Sequence, residues 1–305
     1  MISDRKKNKR DIFLFSHKLF HQKLKQKYFS TFNDFIFGDN DIAAVKNGCE
    51  RIFIMKNSII KKIFICSIAS CMLVVSPQTV IASDSKAIGY GQGTTVNQDN
   101  CPLDALAFNE KYKKYGAYAT VPDKERIIIT FDQGYENGYT AQILDTLKEK
   151  NVTAIFFLTG DYAKKETELV KRMIEEGHVL GNHGMTHASI PNCTPEEAKE
   201  EITSLHEYVL DTYGYEMQYF RCPCGEYSEQ ALAEIQDAGY KTLFWSSAHV
   251  DWKTDAQPSP SEAYETLISH AHGGEILLLH SVSSTNAQIL GDVIDGFRDK
   301  GYIVE

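Results

Sequence analysis

The chain is short of several things that would settle its class at once. Its longest sustained apolar run, residues 63–75, is about 13 residues, where a helix needs ~20 to cross a bilayer. That falls short of a conventional spanning helix and fits the core of a signal peptide. Positive charge is scarce beyond position 82: only 18 of the 32 Lys+Arg lie there, against 35 of the 41 Asp+Glu, a balance near −17. So acidic a body is a poor partner for nucleic acid. Cysteine is thin as well, with four of seven beyond that point, Cys101, Cys193, Cys222 and Cys224. An even number in an exported chain permits disulfides without revealing their pairing. Cys222 and Cys224 also invite a metal reading, but their C-x-C spacing has no second pair.

What is present bounds the rest. With 305 residues and 43% hydrophobic content, the chain can bury one core of roughly 200 residues once an export segment is set aside, which argues against two large domains. Residues 1–54 carry 11 Lys+Arg against 6 Asp+Glu without sustained periodicity, and read as an upstream leader or a start called too early. A basic cytoplasmic tail is the alternative. Met55 opens a second candidate start: Lys56, Lys61 and Lys62, then the apolar run, then a small-residue cleavage site at Val80-Ile81-Ala82. Residues 55–82 are therefore expected to be a signal peptide and the product to be exported. An uncleaved membrane anchor and a lipoprotein box at Ile68-Ala69-Ser70-Cys71 are the competing readings.

Beyond it, strands and helices alternate. Strand-like runs fall at 127–131, 153–158, near 178–181, and at 219–222, 242–246, 276–279 and 302–304. Helical spacing falls at 138–150, 166–176, 194–213, 228–237, 261–271 and 286–299. The third of these opens on a capping box, Thr194-Pro195-Glu196-Glu197, with proline at the first helical position. Repeated βα units imply a parallel sheet with helices outside, and an irregular βα barrel is its natural closure.

Polar residues sit where those apolar runs end: Asp132 in IIITFDQG, His183 and His187 in GNHGMTH, Arg221 in FRCPCG, His280 in EILLLH. Ligands, a base and an acid are what metal-assisted hydrolysis needs. His183 and His187 fall in a loop after the strand near 178–181, and H-x-x-x-H on one helical turn would bring both imidazoles toward one ion. Each residue also has a plainer reading, since Asp132 could cap a turn, a histidine pair is common on surfaces, and His280 could belong to the core. His178, His206, His249, His270 and His272 lack such a context and read as structural or exposed.

From about 126 to 305 the chain resembles the polysaccharide deacetylases, the NodB-like domain of carbohydrate esterase family 4. All five motifs of that family have counterparts here in order. The strings FDQGYENGYT, FWSSAHVDWK and LLLHSVSSTNAQIL are most similar to the δ-lactam-biosynthetic de-N-acetylases of spore-cortex peptidoglycan, and residues 83–125 to their N-terminal extension. The resemblance implies a distorted (β/α)7 barrel and an N-acetylmuramic acid de-N-acetylase. The expected substrate is peptidoglycan glycan strands from which an amidase has removed the stem peptides, and the expected form a monomer. The alternatives are a deacetylase of N-acetylglucosamine or chito-oligomers, and a glycan-binding protein without catalysis.

Roles follow from the same resemblance. Asp132 is the expected base, Arg221 the group that holds it, His280 the acid and Asp251 the carboxylate behind that acid. His183 and His187 are expected to hold a divalent metal, zinc by expectation. The family motif Thr-Phe-Asp-Asp-Gly carries its third ligand where Gln133 stands, and a neutral amide oxygen binds zinc more weakly than a carboxylate. The family's Arg-Pro-Pro-aromatic-Gly is Arg221-Cys222-Pro223-Cys224-Gly225 here, which keeps a backbone N–H at Cys224 for an oxyanion and loses an aromatic wall. Trp252 and Leu278 are expected to wall the acetyl pocket, although either could be ordinary core. Tyr135 and Asn137 are expected to meet the lactyl group, or only to form the turn before a helix.

Overall fold

The computed structural model describes residues 85–304; the expected leader and signal peptide lie outside the described residues. A short strand β1 (Ile88–Gly89), helix α1 (Leu103–Tyr112) and strand β2 (Ala117–Tyr118) precede β3 (Ile127–Gln133). Then follow α2 (Thr140–Lys150), β4 (Ile155–Leu158), α3 (Gly160–Lys165), α4 (Thr167–Glu175), β5 (Val179–Asn182) and α5 (Pro195–Tyr213). The remainder is β6 (Tyr219–Phe220), β7 (Glu226–Tyr227), α6 (Glu229–Asp237), β8 (Lys241–Leu243), β9 (Ser247–Ala248), α7 (Pro260–His270), β10 (Glu275–His280) and α8 (Ser284–Asp299).

Eight strands form one parallel sheet in the order β2-β8-β6-β5-β4-β3-β10-β9. Its two sides are joined by a single segment. β8 and β9 are separated only by 244–246, yet β8 pairs with β6 and β9 with β10, and the Ser246 N–H donates to the Ile276 carbonyl at 3.0 Å. The sheet therefore curls into the irregular barrel that the alternation implied, the distorted (β/α)7 form expected from the family resemblance. Every residue of β3 and β4 is buried, because the strands are covered on both faces, which is why they read as continuous apolar runs.

The helices start and stop where their ends are satisfied. In α5 the Thr194–Glu197 capping box is formed and Gly214 closes the last turn at φ 63; α7 has a second box from Ser259 and Glu262. Three expectations need correction. The run 302–304 makes one isolated bridge, Arg126 to Ile303, rather than a strand. The strand expected at 242–246 breaks in its middle, where it changes partner. The segment before 166 is itself helical, α3 being capped by Thr159. The four cysteines among the described residues are free thiols, Cys101 and Cys222 buried, Cys193 half-buried and Cys224 exposed.

At the other end of the barrel, Glu275 opens β10 without exposure. Its Oε2 accepts from the His272 N–H at 3.1 Å, its Oε1 has no partner, and burial raises its pKa from 4.5 to about 8. Between those values the unfolded chain is ionised and the folded one is not, so folding stability falls as pH rises from 4.5 to about 8. Glu275→Gln removes this dependence. It should melt higher than the wild type above pH ~8, by on the order of a few kcal/mol, with the gap shrinking toward pH ~4.5. Parallel melting curves across that range would show that Glu275 is ionised in the folded chain.

Candidate active site

Strand register assembles the site. His280, the last residue of β10, pairs in register with Asp132 of β3, and Asp132 pairs with Phe157 of β4. Leu158 pairs with Asn182, and Asn182 with Phe220, so the next residues, His183 and Arg221, emerge at the same level. All four lie at strand C-terminal ends, the mouth where βα barrels carry their chemistry.

Arg221 has no exposed surface. Its Nε and Nη2 donate to the carbonyls of Leu243 (3.0 Å) and Phe244 (3.2 Å), and Nη1 to Thr130 Oγ1 (2.7 Å) and Asp132 Oδ1 (2.9 Å). The guanidinium also lies 4.2 Å from the Phe157 ring centroid. Burial alone would raise the Asp132 pKa, but the charge of Arg221 and its hydrogen bond, aided by His280, more than reverse it, so the carboxyl lies below its usual range. Asp132 is thus an ionised carboxylate fixed by one oxygen. The other, Oδ2, stands 3.5 Å from His183 Nε2.

His183 Nδ1 lies 2.9 Å from the Arg221 carbonyl. A carbonyl only accepts, so the proton is assigned to Nδ1 and Nε2 carries the lone pair. Burial lowers the His183 pKa to about 4, which keeps the ring neutral. His187 lies with its ring centroid 4.8 Å from that of His183, and its pKa is also lowered by burial. The two are not on a helical turn, as their spacing suggested. Gly184 at φ 85 and His187 at φ 65 fold 183–187 into a loop. Glu201 of α5 clamps that loop. Its Oε1 accepts the N–H groups of Thr186 (2.7 Å) and Ala188 (3.0 Å), and its Oε2 the Thr186 hydroxyl (2.9 Å). A Cβ on Gly184 would come within 2.6 Å of Glu201 Oε1, so glycine is required there.

On the opposite side, Asp251, wholly buried, takes the His280 Nδ1–H at Oδ1 and the His280 backbone N–H at Oδ2, both 2.7 Å. Burial would lower the imidazole pKa, but Asp251 and then Asp132 outweigh it, and the net shift is upward. The sequence reading missed the layer behind. Asn286 of α8 donates to Asp251 Oδ2 at 2.6 Å, and its Oδ1 lies 2.9 Å from His249 Nε2. His249, read as structural or exposed, therefore belongs to this network.

The other expected residues divide. Gln133 is fully buried, with Nε2 donating to Ser281 Oγ at 2.6 Å, and its Oε1 has no partner. Two imidazoles in contact, with the buried Gln133 amide oxygen left without a partner, fit a divalent ion held mainly by nitrogen, although no cluster of three His, Cys, Asp or Glu gathers among the described residues. Cys224 is exposed in a left-handed turn at φ 56. Trp252 is half exposed, its ring centroid 5.9 Å from that of His280, while Leu278 is buried in β10. Tyr135 is 52% exposed. The Asn137 amide donates to the Val282 carbonyl at 2.9 Å, tying its turn to the loop after β10. Its neighbour Glu136 accepts the N–H groups of Gly138 (2.6 Å) and Thr140 (3.3 Å), so part of this segment is the start of α2.

Residues 119–243 match the family described as polysaccharide deacetylase. Bacillus subtilis peptidoglycan-N-acetylmuramic acid deacetylase PdaA is 40% identical over 244 residues, 78% of this chain and 92% of that protein. Its solved structure, a family 4 carbohydrate esterase, superposes with a TM-score of 0.68 at 39% identity, covering 72% of this chain and 94% of that one. A family 4 carbohydrate esterase from Bacillus anthracis gives 0.61 at 36%, covering 74% and 96%. A Bacillus cereus peptidoglycan-N-acetylglucosamine deacetylase is 32% identical over 186 residues, 61% of this chain and 66% of that protein.

Proposed function

The chain belongs to the polysaccharide deacetylase family, carbohydrate esterase family 4, and is an amide hydrolase; from that premise we propose that it is exported and removes the N-acetyl group of N-acetylmuramic acid in peptidoglycan. The substrate reading rests on its likeness to PdaA over nearly that protein's whole length. The observation that carries the chemistry is the register of Asp132 with His280, each backed by its own buried partner of opposite charge.

Asp132 takes the proton of a water that attacks the acetyl carbonyl, since its free oxygen is ionised and Arg221 fixes the other. The Cys224 N–H faces the oxyanion of the tetrahedral intermediate. His280, its Nδ1–H held by Asp251, keeps Nε2 to protonate the departing amine, and acetate and free amine leave. A divalent ion held by His183 and His187, zinc by the preference of imidazole, would supply Lewis-acid polarisation of the scissile amide. Tyr135 and Trp252 provide exposed rings on which sugar can stack, and Leu278 backs the acetyl pocket. Gln133 weakens the metal site by its missing charge without removing an oxygen donor.

Amidase-treated peptidoglycan, whose muramic lactyl carboxylates are free, is the discriminating substrate. Acetate should be released from it, should stop with chelator and should return with zinc. Mass spectrometry should place the lost acetyl on muramic acid, with δ-lactam where the freed amine closes on the lactyl carboxyl. Loss from glucosamine instead would reassign the substrate. Binding without acetate under any divalent metal would leave a glycan-binding protein.

A further inference from the structure

Residues 88–92 pack against the segments that carry Cys224 and Trp245. Tyr90 ties two segments together, its N–H donating to the Gly225 carbonyl at 2.8 Å and its hydroxyl to the Trp245 carbonyl at 2.6 Å. β1 pairs antiparallel with β7 directly after that glycine. The half-buried Trp245 donates its Nε1–H to Gln92 Oε1 at 2.9 Å, and the Tyr90 ring meets the indole edge-on at 5.1 Å. A Cβ on Gly225 would lie 2.8 Å from the Trp245 ring. The indole is thus pressed against the turn that holds the Cys224 N–H. It also lies 6.0 Å from the Arg221 guanidinium, which is held by the Leu243 and Phe244 carbonyls just before it.

Two independent facts give this contact a meaning. At Cys224 the chain lacks an aromatic side chain, and the ring that borders the same turn is Trp245, delivered from the segment between β8 and β9 and oriented by Gln92. The likeness to PdaA covers 78% of the chain, a stretch that cannot avoid residues 85–118. The likeness to the glucosamine deacetylase is shorter, 186 residues and 61% of the chain.

Resting on the muramic acid reading above, we propose that Trp245 is a specificity-determining wall for the muramic sugar, and that Tyr90 and Gln92 are the positioning residues that hold it against the Cys224 turn. Gln92 is the cleaner handle, because it is half-exposed and its loss leaves the aromatic cluster intact. With the full chain supplied with zinc, kcat and KM are measured on stem-free murein glycan and on a chito-oligomer. Gln92→Ala should raise KM for the murein glycan by about tenfold, the scale of one lost hydrogen bond, leaving kcat, chito-oligomer KM and Tm unchanged. Gln92→Glu keeps an oxygen acceptor for the indole N–H and should restore KM. An unchanged KM in Gln92→Ala, or an equal loss on both substrates, overturns the proposal. A wild-type chain that works on the chito-oligomer and not on murein overturns the muramic acid reading itself, and this inference with it.

Discussion

Asp132→Asn should lose ~10²–10⁴ of the acetate-release rate, the usual cost of removing a general base. The change keeps shape and keeps an oxygen for the Arg221 Nη1–H, so the 2.9 Å contact can persist while the proton acceptor is gone. Its side effect has to be separated from its main one. Arg221 has no exposed surface and Asp132 is the carboxylate it touches, and breaking a buried pair costs about 3–5 kcal/mol. The variant should therefore melt earlier as well as work more slowly. Below the variant's own melting temperature, the fall in rate must persist in single-turnover acetate release at saturating zinc. If more than about a tenth of the wild-type rate remains there, Asp132 is not the base.

Much of this was legible in the chain, and the limits have physical causes. Asp132, Arg221 and His280 could be found because a charged group ending an otherwise apolar run has few reasons to be there. That Asp132 and His280 are neighbours could not be read, since register between strands so far apart depends on how the barrel closes. The closure itself was hidden in 242–246, where one apolar run serves two partners and breaks between them. The helical reading of His183 and His187 took spacing for conformation, and Gly184 was the residue that argued otherwise. Glu201 carried no signal, standing among Glu196, Glu197 and Glu200 on one acidic helix, and only the fold selects the one that turns inward. Asn286 was likewise an ordinary residue in the first turn of a helix until its amide was found against Asp251.

That amide bears on the second large effect, expected for Asp251→Asn. In the wild type the Asp251 carboxylate, with help from Asp132, holds the His280 pKa above 6.5 against the opposing pull of burial. The imidazolium, the acid form, is therefore populated to higher pH than in an ordinary imidazole, and is lost as pH rises through the raised value. With asparagine at 251 the charge is gone and burial prevails, so the pKa falls below its ordinary value. The alkaline limb of the kcat profile should move to lower pH, and the rate at pH ~8 should drop by ~10²–10⁴, as for loss of the acid itself. Stability shifts in the same sense, because the interaction with Asp251 is fully present below the unfolded-state pKa and fades as pH passes the folded one. Two readouts check this: the pH–rate profile, and the titration of the His280 imidazole followed by NMR. An alkaline limb that stays in place in Asp251→Asn would mean that a group other than His280 delivers the proton to the leaving amine.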